Sequence, residues 1–183
     1  RLSLSATTVA QRDYVRILHN SFHLKSNAGV VPESVISVIG ATTSNPATNG
    51  LLFFNNLAVL SPNGTPTTGT TMWRLSTRSL IDAGLLTASN NRYFHQGGHF
   101  AVLSNPSLNV STFTNWRNLS TNFELQSSTG EPAVLNLRLD QLQPLGFSPL
   151  LNAGLAQTIA PVDHAGRPRD LLPDIGAFEY DSI

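Results

Sequence analysis

His19, His23, Lys25, Arg74, Arg78, Arg92, His95 and His99 are the basic groups in the first half of the chain that could stand on an outer strand face. In a strand, residues two apart share a face, so His19, Ser21 and His23 can point the same way. A repeat described below sets His23 beside Val59 and Phe94, with His95 one place further on. His23, Lys25, Arg92 and His95 then fall in one surface neighbourhood. The chemistry such a set offers is charge neutralisation by Lys or Arg, proton removal by a neutral imidazole, and protonation of a leaving oxygen. The competing reading is a set of scattered polar residues on a solvated face. Acids are scarce beside them: Asp13, Glu33 and Asp82 are the ones in residues 1–112, so no triad for Ca²⁺ is clustered there.

The elements that would position these groups come from an internal repeat. Three segments align without gaps: 15–22 (VRILHNSF), 51–58 (LLFFNNLA) and 86–93 (LTASNNRY). Each is a short strand-like run, a polar Asn, and an apolar residue two places on. The spacing from Asn20 to Asn56 is 36 residues and from Asn56 to Asn91 is 35. Second strand candidates lie between them, at 35–39 and 72–75. Stacked parallel turns of chain explain such a pattern, because equivalent side chains then form ladders. Asn at a tight bend accepts left-handed geometry and hydrogen-bonds to its neighbours in the stack. Asn20, Asn56 and Asn91 are therefore read as a ladder, with Phe22, Ala58 and Tyr93 as an interior stack. The plainer alternative is that the Asn pairs mark turns between unrelated strands. No segment keeps a 3.6-residue apolar period, which argues against a helical solenoid. The stretches 27–32, 43–50 and 61–71, dense in Gly, Pro, Asn and Thr, read as loops.

Composition sets the outer limits. The 183 residues carry 12% charged side chains and 40% apolar ones, with eleven basic residues balancing eleven acidic ones. Nothing in that balance suggests nucleic acid, which would need a basic face. There is no Cys, so disulfides, thiolate zinc sites and Cys nucleophiles are excluded. No apolar run approaches the roughly 20 residues of a spanning helix. The chain begins at Arg1 without Met, as expected of a processed or trimmed chain or a part of something longer.

Beyond Phe113 the character changes. A helical turn carrying Trp116 is expected at 114–119, followed by SPLLNAG (148–154), DHAGRPR (163–169) and PDIGAFEY (173–180). These three motifs resemble the C-terminal end of bacterial secreted right-handed parallel β-helix proteins, a group that includes polysaccharide lyases and related surface proteins. The resemblance implies an all-β fold, a right-handed parallel β-helix (solenoid) with C-terminal coils plus a cap. On that reading residues 1–112 are coils and 113–183 are a C-terminal coil and capping segment, in one continuous domain. Ile175, Phe178 and Tyr180 would cover the last coil, and Arg167 or Arg169 would pair with Asp163 or Asp174 to lock the cap. A sugar- or metal-binding role is the alternative for those acids.

The function the resemblance implies is binding or processing of polysaccharide, outside a bacterial cell or on its surface, with this chain mainly scaffold and cap. A lyase or a glycoside hydrolase would be the enzyme, with catalytic residues possible upstream of Arg1, so none is assigned. His23, Lys25, Arg92, His95 and Trp73 are the candidate substrate contacts. Trp73 and Trp116 either stack on sugar rings or belong to core and cap. No cofactor is expected; Ca²⁺ is compatible with the family, but no motif supports it. The competing functions are a non-catalytic assembly subunit, docking another chain on an open coil at Arg1–Ser5, and a glycan-binding adhesin. No membrane span is expected.

Overall fold

The computed structural model describes residues 2–5, 15–27, 33–39, 50–63 and 70–180. After β1 (Leu2–Ser5), three units of three strands follow. The first is β2 (Val15–Leu18), β3 (Ser21–Asn27) and β4 (Ser34–Ile39). The second is β5 (Leu51–Phe54), β6 (Leu57–Asn63) and β7 (Thr71–Leu75). The third, after the short helix α1 (Ser79–Asp82), is β8 (Leu86–Ser89), β9 (Arg92–His95) and β10 (His99–Ser104). Corresponding strands pair in parallel: β2-β5-β8 in one sheet, β3-β6-β9 in a second and β1-β4-β7-β10 in a third. The loops expected at 27–32, 43–50 and 61–71 lie largely outside the described residues; Ser61–Asn63 extend β6 instead.

The parallel series does not run on. β11 (Ser107–Val110) folds back on β10 as an antiparallel partner and occupies the edge where a further parallel strand would add. Helix α2 (Phe113–Arg117) follows, with Thr112 accepting from the Asn115 backbone N–H at its start. Only the two-residue β12 (Ser128–Thr129) extends the second sheet. Then β13 (Val134–Asn136) and β14 (Gln141–Pro144) form an antiparallel ribbon. The expected all-β, right-handed parallel β-helix is thereby corrected. The described residues form several sheets, parallel and antiparallel mixed, with a few short helices, rather than one closed solenoid. The physical reason is the β11 hairpin: once it covers that edge, the chain after residue 110 cannot repeat the three-strand unit.

The repeat itself is read correctly at residue level. Asn20 N–H donates to Asn56 Oδ1 at 2.9 Å, and Asn56 N–H to Asn91 Oδ1 at 2.9 Å. Left-handed geometry falls one residue earlier than expected, on His19, Asn55 and Asn90 (φ 52°, 58° and 53°). That bend frees the next residue to hold the ladder. Phe22, Ala58 and Tyr93 are register partners, as the alignment requires. Between the sheets lies the main core, with Phe53, Trp73, Tyr93, Phe100, Leu103 and Trp116 all buried. Trp116 on α2 stacks on Trp73, ring centres 5.4 Å apart, so the expected helical turn closes this apolar column.

Candidate functional site

The second sheet has two unlike faces. In a parallel pair, register partners share a face. His23, Val59 and Phe94 therefore line one side, as do Lys25 and Ser61, while Leu24, Leu60 and His95 line the other. The side holding His95 faces the core. There His95 meets Phe100 edge-on at 5.6 Å, and burial holds its pKa below the ordinary histidine value. The expected neighbourhood is thus split: His23, Lys25 and Arg92 stand on the outer face, and His95 turns inward. Trp73 is fully buried between Phe53 and Trp116 and reaches no surface ligand, so its place is the core.

The outer face is covered in part by the chain after residue 130. Val134, Leu142, Leu150 and Ile175 pack on Leu57 and Val59, with Phe94 and Leu137 alongside, as a second apolar cluster. Where that cover stops, a cleft of about 790 Å³ opens, lined by Lys25, Ser61, Phe94, Gln96, Glu131, Leu137 and Arg138. Its floor comes from β3, β6 and β9. Its wall is the 3-10 turn Leu137–Leu139, started by Asn136 Oδ1 accepting from the Arg138 and Leu139 backbone N–H groups. Asp140 ends that turn in left-handed geometry (φ 59°).

That turn delivers Asp140 to the sheet. Its Oδ1 lies 2.6 Å from His23 Nδ1, and its Oδ2 accepts from Lys25 Nζ at 2.8 Å. Lys25 Nζ also donates to the Arg138 carbonyl at 2.7 Å. On its far side His23 Nε2 lies 2.6 Å from Ser61 Oγ. The His23 side chain is 4% exposed and Asp140 60%. Burial lowers the His23 pKa from its ordinary value, while the Asp140 hydrogen bond and charge oppose that and Lys25 assists it. The Lys25 hydrogen bond is the main cause that lowers the Asp140 pKa, with His23 adding to it against partial desolvation. Arg92 sits at the rim, donating to Ser128 Oγ at 3.0 Å and to the Glu131 carbonyl at 3.2 Å.

Sequence reasoning placed His23, Lys25 and Arg92 here and missed Ser61, Gln96, Glu131, Arg138 and Asp140. A signal existed for Ser61, which stands 36 residues after Lys25 in the repeat. None existed for Asp140, brought in from 117 residues away by a turn outside the repeat.

The residues assigned to the cap form a separate network. Asp163 accepts from Ala165 and Arg167 backbone N–H groups at 2.8 Å each, from Glu179 N–H at 3.0 Å, and from Arg167 Nε at 2.9 Å. Arg169 pairs with Glu179 rather than with Asp174. Asp174 instead accepts from Asn152 and Tyr180 backbone N–H groups at 2.8 and 2.7 Å. Phe178 meets His164 edge-on, and Tyr180 lies against Gly146, 43% exposed. This segment lies along the flank of the strand stack: Gly176 N–H donates to the Asn55 carbonyl, and Ala177 N–H to Ser21 Oγ.

Among the described residues no group of three or more His, Asp or Glu side chains is placed to hold a metal ion. No described helix is long and apolar enough to cross a membrane. Compared with protein-family models and with curated proteins, the chain matches none.

Proposed function

We propose that this chain binds polysaccharide, with a saccharide seated in the cleft over the outer face of the β3-β6-β9 sheet. The observation that carries the reading is the cleft's lining: Lys25, Arg138, Gln96, Ser61 and Glu131 beside Phe94 and Leu137. Sugar hydroxyls need donors and acceptors in close alternation, and the C–H faces of a sugar ring need apolar or aromatic surface. Charge helps to choose the ligand. In the lining Lys25 and Arg138 stand against Glu131, and beside it Arg92 stands against Asp140, a small cation excess that suits a hydroxyl-rich, weakly charged glycan better than a strong polyanion. A lyase for uronic polymers would need free cations for each bound carboxylate, and here Lys25 is already paired with Asp140 and Arg138 shares the lining with Glu131. The setting we propose, outside a bacterial cell or on its surface, rests on the Cys-free, Ser/Thr/Asn-rich composition and the C-terminal motifs.

A glycan array carrying neutral and acidic polysaccharides tests the reading. Retention of at least one neutral or weakly charged glycan is expected, with affinity lowered about tenfold by Gln96→Ala and by Arg138→Ala, a loss of ~1.4 kcal/mol each. An array on which nothing binds, or binding untouched by both substitutions, overturns it.

A further inference from the structure

We infer that Ser61, His23 and Asp140 form a nucleophile–base–carboxylate relay that hydrolyses an ester bond at the edge of the cleft. The saccharide reading supplies only the alcohol half of the substrate, an O-acyl sugar. The acyl chemistry stands on geometry independent of it. Both imidazole nitrogens are engaged, Nδ1 by Asp140 Oδ1 at 2.6 Å and Nε2 by Ser61 Oγ at 2.6 Å. An ionised carboxylate can only accept, so Nδ1 carries the ring proton in the neutral imidazole and Nε2 accepts from the serine hydroxyl. Those are the roles of a general base and its orienting acid, recognised by geometry and not by chain order. Here the order is His, Ser, Asp. The His23 ring is shielded from water, while Ser61 lines the open cleft.

Each part is positioned by a different element. His23 and Ser61 come from neighbouring parallel strands, on the same face and two register steps apart. Asp140 comes from the 3-10 turn, where left-handed backbone aims its carboxylate back at the sheet. Lys25, the register partner of Ser61, spends two N–H groups on Asp140 and the Arg138 carbonyl among the described residues. Its ammonium, the Gln96 amide and the Arg138 guanidinium are cleft-lining donors that a developing oxyanion could use.

The reaction balances within these groups and water. Ser61 Oγ bonds to the ester carbonyl carbon as its proton passes to His23 Nε2. The carbon–oxygen bond to the sugar then breaks, and Nε2 returns that proton to the departing alkoxide. A water molecule, deprotonated by Nε2, attacks the acyl-serine carbonyl. The carboxylic acid leaves, and the proton goes back to Ser61 Oγ. The net change is ester plus water to acid plus alcohol, with no oxidant or reductant.

The test uses the whole chain with diisopropyl fluorophosphate and 4-nitrophenyl acetate, neither of which requires a saccharide. Peptide mapping is expected to find the phosphoryl label on Ser61 and to find none there in His23→Gln. Nitrophenolate release is expected to fall on the order of 10²–10³-fold in Ser61→Ala and in His23→Gln. Ser61→Cys keeps a nucleophile at the same point, and iodoacetamide is expected to alkylate it faster than a cysteine without the imidazole, as in Ser61→Cys/His23→Gln. Asp140→Asn acts as a positioning change: kcat drops while KM holds. The acid limb of its pH profile moves lower, because Asp140 is what raises the His23 pKa against burial, with Lys25 the other charged group facing the ring. Label spread evenly over other serines, or release unchanged in Ser61→Ala, overturns the relay. A blank glycan array with Ser61 still labelled overturns the saccharide reading and leaves the relay standing.

Discussion

At the scale of single residues, the ladder shows what one buried amide can do. Asn56 is fully buried, and the residue is held on three sides, twice through its side chain and once through its backbone. Its Oδ1 accepts from Asn20 N–H at 2.9 Å, its Nδ2 donates to the Ile17 carbonyl at 2.8 Å, and its own N–H reaches Asn91. The column ends on a rung that Asn-Asn pairs could not reveal. Ser127, 36 residues after Asn91, accepts from Asn91 N–H at 2.9 Å. Behind it, the fully buried Glu124 receives Tyr93 Oη at 2.6 Å and Trp116 Nε1 at 3.2 Å, as well as the Ser127 hydroxyl. Asn56→Ala takes their side-chain partner from the half-buried Asn20 N–H and the buried Ile17 carbonyl. At roughly 1–3 kcal/mol for each group, a loss of about 2–6 kcal/mol is expected. Urea denaturation checks it as a lower midpoint at unchanged slope. The position of Asn56 was legible because spacing preserves equivalence. Ser127 kept the spacing but changed residue type, and so escaped a search for Asn.

At the scale of elements, the C-terminal segment behaves as a strap across successive units. Asn90 Nδ2 donates to the Ala153 carbonyl at 3.3 Å, and Asn55 Nδ2 to the Leu155 carbonyl at 2.6 Å. Leu155 N–H returns to Asn55 Oδ1 at 2.7 Å. His19, at the same bend one unit away, lies 3.4 Å from the Asp174 carbonyl through Nδ1. Close approach explains the glycines in the motifs. A Cβ at Gly154 would stand 2.7 Å from the Pro173 carbonyl oxygen, and one at Gly176 (φ 105°) 2.8 Å from Ser21 Oγ. Gly154→Ala is expected to loosen the strap at a cost of roughly 1–3 kcal/mol. Hydrogen exchange should speed up over 150–177 while β5, β6 and β7 stay protected. Equal loss of protection in those strands would contradict a strap. The motifs announced a tie, but on an expected coil end; only the packed structure puts it on the flank.

At the scale of the whole molecule, the strap couples stability to pH through His19. Burial, then the Arg169 charge, lowers its pKa from 6.5 to about 4, against the Asp174 carbonyl, which favours the charged form. The folded state therefore resists a proton that the unfolded chain accepts. Between pH 6.5 and about 4 the unfolded state binds more protons, so stability falls as pH falls through that window and levels off below it. The span corresponds to at most about 3 kcal/mol at 1.36 kcal/mol per unit. Glu124 and Glu179, raised chiefly by burial, act in the opposite sense above their ordinary value of 4.5. The decisive measurement is therefore a difference. His19→Asn, which copies the residue at the equivalent bends, should flatten the slope between pH 6.5 and 4 relative to the parent chain. Parallel curves for the two proteins would refute the coupling.

Spacing along the chain by itself determined a repeating unit of at least two strands, the ladder from Asn20 to Asn91 and the interior stack of Phe22, Ala58 and Tyr93; the third strand of each unit appeared only in the structure. The features read from spacing depend on which residues recur at one interval, and recurrence is written in the sequence. It also placed His23, Lys25 and Arg92 on one face, since strand alternation fixes sidedness. Tertiary structure decided the rest: where the parallel series stops, that Trp73 belongs to the core, and that His95 turns inward. It alone carried Asp140 to His23 and laid the strap beside Asn55. Contacts between residues more than a hundred positions apart depend on how one segment folds over another, and neither period nor local spacing encodes that.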